Sequence, residues 1–355
     1  MKMRELSSEA YQSEGLIPTF SFSKHLPFLV EARKKSKRGR TRILMHPHSS
    51  SNVHEMFVLY GQETFIRANK HIDRDESVFV LAGVIDVILF EENGKISHVV
   101  RLEANSSTYS SFILLPANRY HSVIIRSEFA LLFESTPGPF DPLVTVFAEW
   151  SPLEEQLDLQ KVFLESVESF AEKQALVESH VANVETYLKR DSQKVFRLDG
   201  RIHMGAAEIS FLTKTLVEEN LDRVRICIHR DDSSELQEMF MIFSDETFVS
   251  PSFHSDKDES LFVLEGLATY VFFDSGGAVS HRVPLGPPAN QLGRESYCRI
   301  PAGSIHALVV ESEYVVVKET TSGPFNKSET HFPDWSPSPR NIEEIRSTNA
   351  SYLAS

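Results

Sequence analysis

The chain has 355 residues, 41% of them hydrophobic and 24% charged, which is the composition of a globular protein long enough for two domains. Its formal net charge of -14 at pH 7 argues against nucleic acid or an anionic membrane as the main partner. The two cysteines predict no disulfide framework, and no apolar run approaches the ~18 residues of a transmembrane helix, so we expect a cytoplasmic protein.

In chain order, the first predicted elements are a helix at residues 21–36 and then a series of short strands. The strands are rich in β-branched and aromatic residues, and they lie at residues 56–59, 77–81, 85–90, 111–115, 122–125 and 130–133. The turn sequence at 92–95 separates two of them. Evenly spaced strands of this kind predict an antiparallel sandwich or barrel.

A helical segment is predicted next, because residues 153–199 contain neither Gly nor Pro. Apolar residues recur there at spacings of three or four: Leu159, Phe163, Val167 and Phe170, then Val177, Val181, Val184 and Leu188. The polar Gln174 interrupts the stripe, so the pattern fits either one amphipathic helix or a helical hairpin that connects two barrels. A shorter helix at 210–220 leads into a second strand series at 238–243, 260–264, 268–273, 296–300, 307–310 and 314–318.

The second strand series repeats the first. Four pairs are 183 positions apart: His46 and His229, His71 and His254, Glu76 and Glu259, Gly83 and Gly266. After two inserted residues the offset is 185, as for His121 and His306, and for Trp150 and Trp335. A period this long indicates a duplicated domain. We predict an N-terminal arm and helix (1–37), domain 1 (38–152), a helical connector (153–221), domain 2 (222–337) and a C-terminal tail (338–355).

Two motifs in each repeat resemble those of the cupin superfamily. The first has His, then Glu, then Gly after six more residues, as in His71, Glu76 and Gly83. The second is Pro-x-Gly, two residues, then His, which 301–306 matches fully. Residues 116–121 have Asn118 in place of Gly, and Asn also tolerates a positive φ.

Within the cupins, the chain most resembles the WbuC-type cupin-fold metalloproteins. The features that carry this resemblance are His46, residues 53–56, Gly138-Pro139-Phe140 and Trp150-Ser151-Pro152, with their counterparts in the second repeat. It covers about residues 38–152 and 222–337. The resemblance implies a mainly β bicupin, with two antiparallel β-sandwich (jelly-roll) barrels joined by the helical connector.

Both repeats depart from the cupin pattern at one position. Asn69 and Ser252 replace the first His of the family's His-x-His, which leaves two histidines and one glutamate in each repeat. The predicted ligand sets are His71, Glu76 and His121, and separately His254, Glu259 and His306. Asn69 offers an additional oxygen ligand, and Ser252 is a poorer one. One divalent metal per domain is expected, with Fe(II) favoured over Zn, Mn or Ni; the alternative is that metal binding has been lost.

A basic residue and a histidine precede each barrel at equivalent positions. Arg42 and His46 share one face of a predicted strand, and Arg225 and His229 do the same. If this face points inward, the arginines would bind a carboxylate or phosphate of the substrate. The histidines have three interpretations: a replacement metal ligand, a contact to the substrate or to the ligands, or a hydrogen-bonded residue at the barrel end.

These residues favour a mononuclear non-heme metalloenzyme, with oxygenase (dioxygenase-type) chemistry on a small polar or anionic metabolite. Two alternatives remain at this stage. One is a metal-assisted sugar isomerase or epimerase, and the other is a non-catalytic sugar- or metabolite-binding cupin, which the fold alone does not separate from an enzyme. The chain is expected to be a monomer or a homodimer.

Overall fold

A computed structural model describes residues 2–175 and 184–354. The described first half contains β1 Lys2–Ser7, β2 Ala10–Glu14, β3 Thr19–Phe20, α1 Phe22–Arg33, β4 Arg40–Leu44, β5 Val53–Gly61, β6 Asn69–His71, β7 Glu76–Ala82, β8 Val84–Phe90, β9 Ile96–Glu103, β10 Ser110–Leu115, β11 His121–Ile125, β12 Phe129–Pro137, β13 Thr145–Phe147 and α2 Leu157–Ala175. The described second half contains β14 Leu188–Ser192, β15 Val195–Leu198, β16 His203–Gly205, α3 Ala206–Glu218, β17 Arg223–Cys227, β18 Leu236–Ser244, β19 Phe253–His254, β20 Glu259–Glu265, β21 Ala268–Phe273, β22 Val279–Leu285, β23 Tyr297–Ile300, β24 Ile305–Val310, β25 Tyr314–Ser322, β26 Thr330–His331 and α4 Ile342–Leu353.

The two halves correspond element by element, so the structural repeat is longer than the motifs indicated. Helix α2 begins at Leu157 and α4 at Ile342, which keeps the 185-residue offset of the two tryptophans. Val167 of α2 packs in one cluster with Trp150, and Tyr352 of α4 packs in the corresponding cluster with Trp335. The helix predicted as a connector is therefore the counterpart of the last helix of the chain. No helix in the described ranges is long and apolar enough to cross a membrane.

The prediction of helix is wrong at Leu188–Ser192 and Val195–Leu198, which form strands. Leu188 begins strand β14, which pairs antiparallel with β15, and β15 pairs in parallel with β17. The counterpart of this hairpin, β1 with β2, was also missed by the sequence patterns. Tertiary pairing with β17 and β4 decides both hairpins, whereas spacing reports only the local periodicity. Val177 and Val181 lie outside the described residues.

The chain is mainly β, and its sheets are not closed into barrels. The first half forms a continuous path, β1-β2-β4-β5-β12-β7-β10-β9-β8-β11-β6-β13. In the second half, an eight-stranded sheet follows β14-β15-β17-β18-β25-β20-β23-β3, and β22-β21-β24 and β19-β26 are separate sheets. Apolar residues of β7 and β8 share one buried cluster in the first half, as Val80 and Val87 do. Residues of β20 and β21 share the corresponding cluster in the second half.

The two halves are interlocked by an exchange of short strands. Strand β3, before α1, pairs with β23 of the second half, and β16, before α3, pairs with β10 of the first. The largest apolar cluster draws on both halves and includes Phe57, Phe79, Phe112, Phe133, Phe196, Phe240, Phe262 and Tyr297. Because strands β3 and β16 are exchanged and the core is shared, neither half has its complete sheet or core without the other.

Candidate metal centres

The structure brings the predicted ligands of the first repeat together. Three strand ends meet there: β6 ends at His71, β7 begins at Glu76 and β11 begins at His121. His71 Nε2 and His121 Nε2 lie 3.2 and 3.3 Å from Glu76 Oε2. One ligand atom from each of the three residues lies within 4.8 Å of the others. This spacing allows all three to contact one ion after a small inward movement.

The other ring nitrogen of each histidine is directed to a fixed partner. His71 Nδ1 lies 3.1 Å from Thr145 Oγ1, and His121 Nδ1 donates to the carbonyl oxygen of Arg119 at 3.0 Å. A histidine that donates through Nδ1 presents the Nε2 lone pair, and such partners typically orient metal-binding imidazoles. The donor set therefore fits a divalent transition metal.

The charges of this set are strongly coupled. Burial alone would raise the pKa of Glu76, but hydrogen bonds from His121 and His71 lower it far below its ordinary value. Burial opposes protonation of His71, yet the contact with Glu76 raises the pKa of His71 above its usual range. The glutamate is thus an anion at neutral pH, which is the form that binds a cation.

The second repeat has the same arrangement with a wider spacing. His254 Nε2 lies 3.3 Å from Glu259 Oε2, but His306 Nε2 is 3.9 Å from Glu259 Oε1. The two histidine rings are 6.5 Å apart, against 5.5 Å for His71 and His121. Among the described residues, only the first repeat's set meets the 4.8 Å spacing. The contact with Glu259 raises the pKa of His254 as in the first repeat.

Two half-buried carboxyl groups beside these sets were not singled out in the sequence. Glu134 on β12 and Glu319 on β25 correspond at the 185-residue offset, and this repetition was the signal that could have found them. Burial, with the neighbouring Glu76 adding to it, raises the pKa of Glu134 to about 7. Burial and Glu259 raise the pKa of Glu319 to about 8. Each pocket therefore holds a carboxyl group that carries a proton near neutral pH.

The two candidate metal sites differ in which glutamate accepts a hydrogen bond from a tyrosine. In the first, Tyr60 donates to Glu134 at 3.2 Å, so the ligand glutamate is left to the histidines. In the second, Tyr270 donates to the ligand Glu259 itself, also at 3.2 Å. The sequence counterparts of these tyrosines are Phe243 and Val87, so each pocket has its phenol on a different strand. The second site's carboxylate is consequently shared between a histidine and a phenol.

The predicted inward position of the arginines is wrong as far as burial is concerned. Arg42 and Arg225 are both exposed, although each is close enough to lower the pKa of the half-buried Glu134 or Glu319. The sequence argument for an anionic ligand required a buried arginine, because only a desolvated cation needs an anion to offset the cost. That argument therefore loses its basis.

His46 and His229 are buried and bound to the backbone. His46 Nδ1 accepts from the Glu55 N–H at 3.1 Å, and His229 Nδ1 accepts from the Glu238 N–H at the same distance. The His46 ring also stacks on His54 at 4.0 Å. These contacts join the start of β5 or β18 to the preceding strand. They support the interpretation as hydrogen-bonded residues at the barrel end.

The remaining predicted positions lie beside the ligands. Asn69 is opposite His121 in the β6–β11 pairing, and Ser252 forms the equivalent bridge with His306. The amide nitrogen of Asn69 donates to Arg67 O at 3.1 Å. Asn118 has a φ of 63°, as expected where the family has Gly, and its N–H donates to His71 O at 2.8 Å.

Comparisons with known proteins agree with this fold. The model of a family described as "Domain of unknown function (DUF6016)" matches residues 23–102 and 210–285. A comparison with curated proteins gives no significant match. Salicylate 1,2-dioxygenase from Pseudaminobacter salicylatoxidans is similar with a TM-score of 0.55 at 12% identity, over 87% of this chain and 84% of that one. The same enzyme in a complex with gentisate gives 0.55 at 13%, over 86% and 80%.

Oxalate decarboxylase from Bacillus subtilis is a more distant structural match, with a TM-score of 0.41 at 13% identity, over 78% of this chain and 70% of that one. The salicylate dioxygenase is a bicupin, so its likeness over most of both chains supports the predicted cupin fold. Identity this low shows the fold alone. The closer relation to the WbuC-type proteins stays a prediction.

Proposed function

We propose that the chain is a bicupin metalloenzyme with one jelly-roll domain and one mononuclear metal site in each repeat. The observation that carries the proposal is the His71–Glu76–His121 set, whose two imidazoles are held through Nδ1 while Nε2 faces the glutamate. Fe(II) is the favoured metal, because a two-histidine, one-carboxylate set leaves coordination positions for dioxygen and a substrate. Oxygenase-type chemistry on a small molecule follows as the proposed activity.

The chain's own groups would prepare the first pocket for such a substrate. Val80, Val87 and Leu132 belong to the apolar cluster inside the first repeat and limit the access of water. Burial and the neighbouring Glu76 raise the pKa of Glu134 to about 7, and Tyr60 orients the Glu134 carboxyl group by donating to Oε1. A polar substrate would thus meet one carboxyl group that exchanges its proton near neutral pH, beside the ligand Glu76. The similarity to an enzyme whose structure contains gentisate supports a small-molecule substrate.

The first test is metal stoichiometry. Purified protein reconstituted with Fe(II) under anaerobic conditions should hold up to two ions per chain, as measured by elemental analysis. His71→Ala with His121→Ala should remove one, and His254→Ala with His306→Ala the other. The first repeat should bind more tightly, because its ligands are closer together and Asn69 adds an oxygen donor. The exposed pair His98 and His281, changed together, is the matched control and should leave the stoichiometry unchanged.

A second measurement separates an enzyme from a binding protein. Dioxygen uptake by the Fe(II) protein, followed while small metabolites are added, should show turnover with at least one class and none in the His71→Ala, His121→Ala protein. Metal content near zero after reconstitution would contradict the metal site. Full metal content with ligand binding but no uptake would leave the non-catalytic cupin as the function.

A further inference from the structure

A buried glutamate of each repeat contacts the strand that carries the ligand glutamate of the other repeat. Glu55 of β5 and Glu238 of β18 correspond at the 183-residue offset, and each is 1% exposed. Ser77 Oγ of the first repeat donates to Glu238 Oε1 at 2.8 Å. Ser260 Oγ of the second repeat donates to Glu55 Oε1. The two hydrogen bonds are equivalent: in each, a serine of one repeat donates to a glutamate of the other.

These serines directly follow the ligand glutamates in sequence. Consecutive residues of a strand point to opposite faces. Glu76 therefore faces its own metal site while Ser77 faces the other repeat, and the same holds for Glu259 and Ser260. On the face turned away from the metal site, each ligand-bearing strand thus donates a hydrogen bond to a carboxylate of the opposite repeat.

The link to the second site is stronger than the link to the first. Glu55 Oε2 accepts from Tyr297 Oη at 2.8 Å and from Arg299, which is 2% exposed. Arg299 Nη2 also donates to Asp258 Oδ2 at 2.7 Å, and Asp258 Oδ1 accepts from Ala302 N–H at 2.9 Å. This chain of contacts runs from Glu55 to both motifs of the second repeat.

The first repeat keeps the contact of Asp75 with the Ala117 N–H, at 2.8 Å, but lacks the side chains that join it to a buried glutamate. Leu114 and Phe112 occupy the positions that correspond to Arg299 and Tyr297. Lys318 of the same repeat neutralises Glu238, and no residue of the described ranges forms a hydrogen bond with Glu238 Oε2. Among the described contacts, the cross-repeat hydrogen bond of Glu238 to the first repeat is the one from Ser77.

We propose that the metal site of each repeat is coupled to the opposite repeat through this interface, with Glu55 as a positioning residue for the second site and Glu238 for the first. The inference rests on the proposed metal sites. Because ligands held 0.5 Å out of place bind a metal less well, loss of either carboxylate contact weakens the site of the opposite repeat. The effect is crossed and unequal: it is larger for Glu55, whose contacts reach both motifs.

The test uses the full chain in two backgrounds, each with one site. His254→Ala with His306→Ala leaves the first site, and His71→Ala with His121→Ala leaves the second. Glu55→Asp and Glu238→Asp are placed in each background, and the affinity for Co²⁺ is measured by absorbance titration. Aspartate keeps a negative charge beside Arg299 or Lys318 but withdraws the carboxylate from the serine.

We expect Glu55→Asp to weaken Co²⁺ binding at the second site about tenfold, as changes to groups that orient metal ligands do, with little change at the first. Glu238→Asp should weaken the first site about threefold, because only one hydrogen bond to the ligand-bearing strand is lost, with little change at the second. Equal losses at both sites, losses in the same repeat only, or none would overturn the coupling. Parent backgrounds that bind no Co²⁺ would instead overturn the proposed metal sites.

A metal-independent measurement covers variants that bind too weakly to titrate. Hydrogen exchange of the metal-free protein should become faster at residues 259–265 with Glu55→Asp, and at 76–82 with Glu238→Asp. Glu55→Gln serves in place of an unfolded Glu55→Asp, because its amide is isosteric with the carboxylate but offers only one acceptor oxygen. Faster exchange over the whole chain in every variant would show a general loss of stability and contradict the crossed coupling.

Discussion

Replacement of Lys318 with Met should lower the free energy of unfolding by about 3–5 kcal/mol, the usual cost of leaving one partner of a buried ion pair alone. The Lys318 ammonium contacts Glu238, and their side chains are 0% and 1% exposed. Methionine keeps an unbranched apolar stem beside the rings of Phe112 and Phe133, which lie 5.8 and 4.9 Å from the ammonium. The loss should therefore come from the uncompensated carboxylate rather than from a cavity.

The expected shift in melting temperature follows from the size of the chain. With an unfolding entropy of about 2.1 cal/mol/K per residue, 355 residues that unfold together lose about 5 °C for 4 kcal/mol. Adding Glu238→Gln to Lys318→Met should restore most of the loss, because an amide is far cheaper to bury than a lone charge. The first repeat already has an apolar residue, Phe133, at the position equivalent to Lys318.

Urea unfolding followed by tryptophan fluorescence measures this directly, since Trp150 and Trp335 report on one repeat each. The matched control is Lys34→Met, which removes the exposed Lys34–Glu31 pair and should change the free energy of unfolding by less than about 1 kcal/mol. A Lys318→Met loss no larger than that of Lys34→Met would refute the reasoning, and so would a double variant no more stable than the single one.

Three further predictions concern single residues. Tyr270→Phe should raise the Co²⁺ affinity of the second site about tenfold, because Glu259 loses a competing hydrogen bond; unchanged or weaker titrations would contradict this. Asn118→Ala should cost about 1–2 kcal/mol in urea unfolding, since alanine is strained at φ 63°, whereas Asn118→Gly removes that strain and should be the more stable variant. Burial lowers the pKa of His46 to about 3, so its contribution to stability is full above the unfolded value of about 6.5 and is lost as the pH falls toward 3. At pH 5 this loss is about 2 kcal/mol, and His46→Asn should remove it from the measured acid dependence.

Much of the candidate site was predictable because its residues recur at fixed spacing. His71, Glu76 and His121 stand in motifs that appear twice, and the structure brings them within contact of one another. The positive φ of Asn118 was also predictable, since a turn that takes Gly in one repeat tolerates Asn in the other. Local sequence contains this information because motif, turn and ligand spacing are all properties of a few adjacent residues.

The exposure of the two arginine side chains, Arg42 and Arg225, was not predictable in the same way. Alternation placed Arg42 and Arg225 on the face that carries the pocket residues, but it gives no information on how far the neighbouring strands cover that face. The roles of Glu134 and Tyr60 depend on the register of β12 against β5, where Ala130 pairs with Tyr60 and Glu134 with Met56. Register is set by the whole sheet, so a single strand's sequence does not reveal it.

The sequence by itself determined the duplication, the strand-rich class of each repeat and the three ligand types of each site, because these depend on residue identity and short spacing. The tertiary structure alone decided the exchange of β3 and β16, the inclusion of α2 in the repeat, and the pairing of Glu55 with Ser260 and Glu238 with Ser77. The physical reason is that the exchanged strands and the glutamate–serine contacts join residues at least 90 positions apart, where the gain comes from burying apolar and polar groups together. No local propensity or periodicity reports on which distant partner completes that burial.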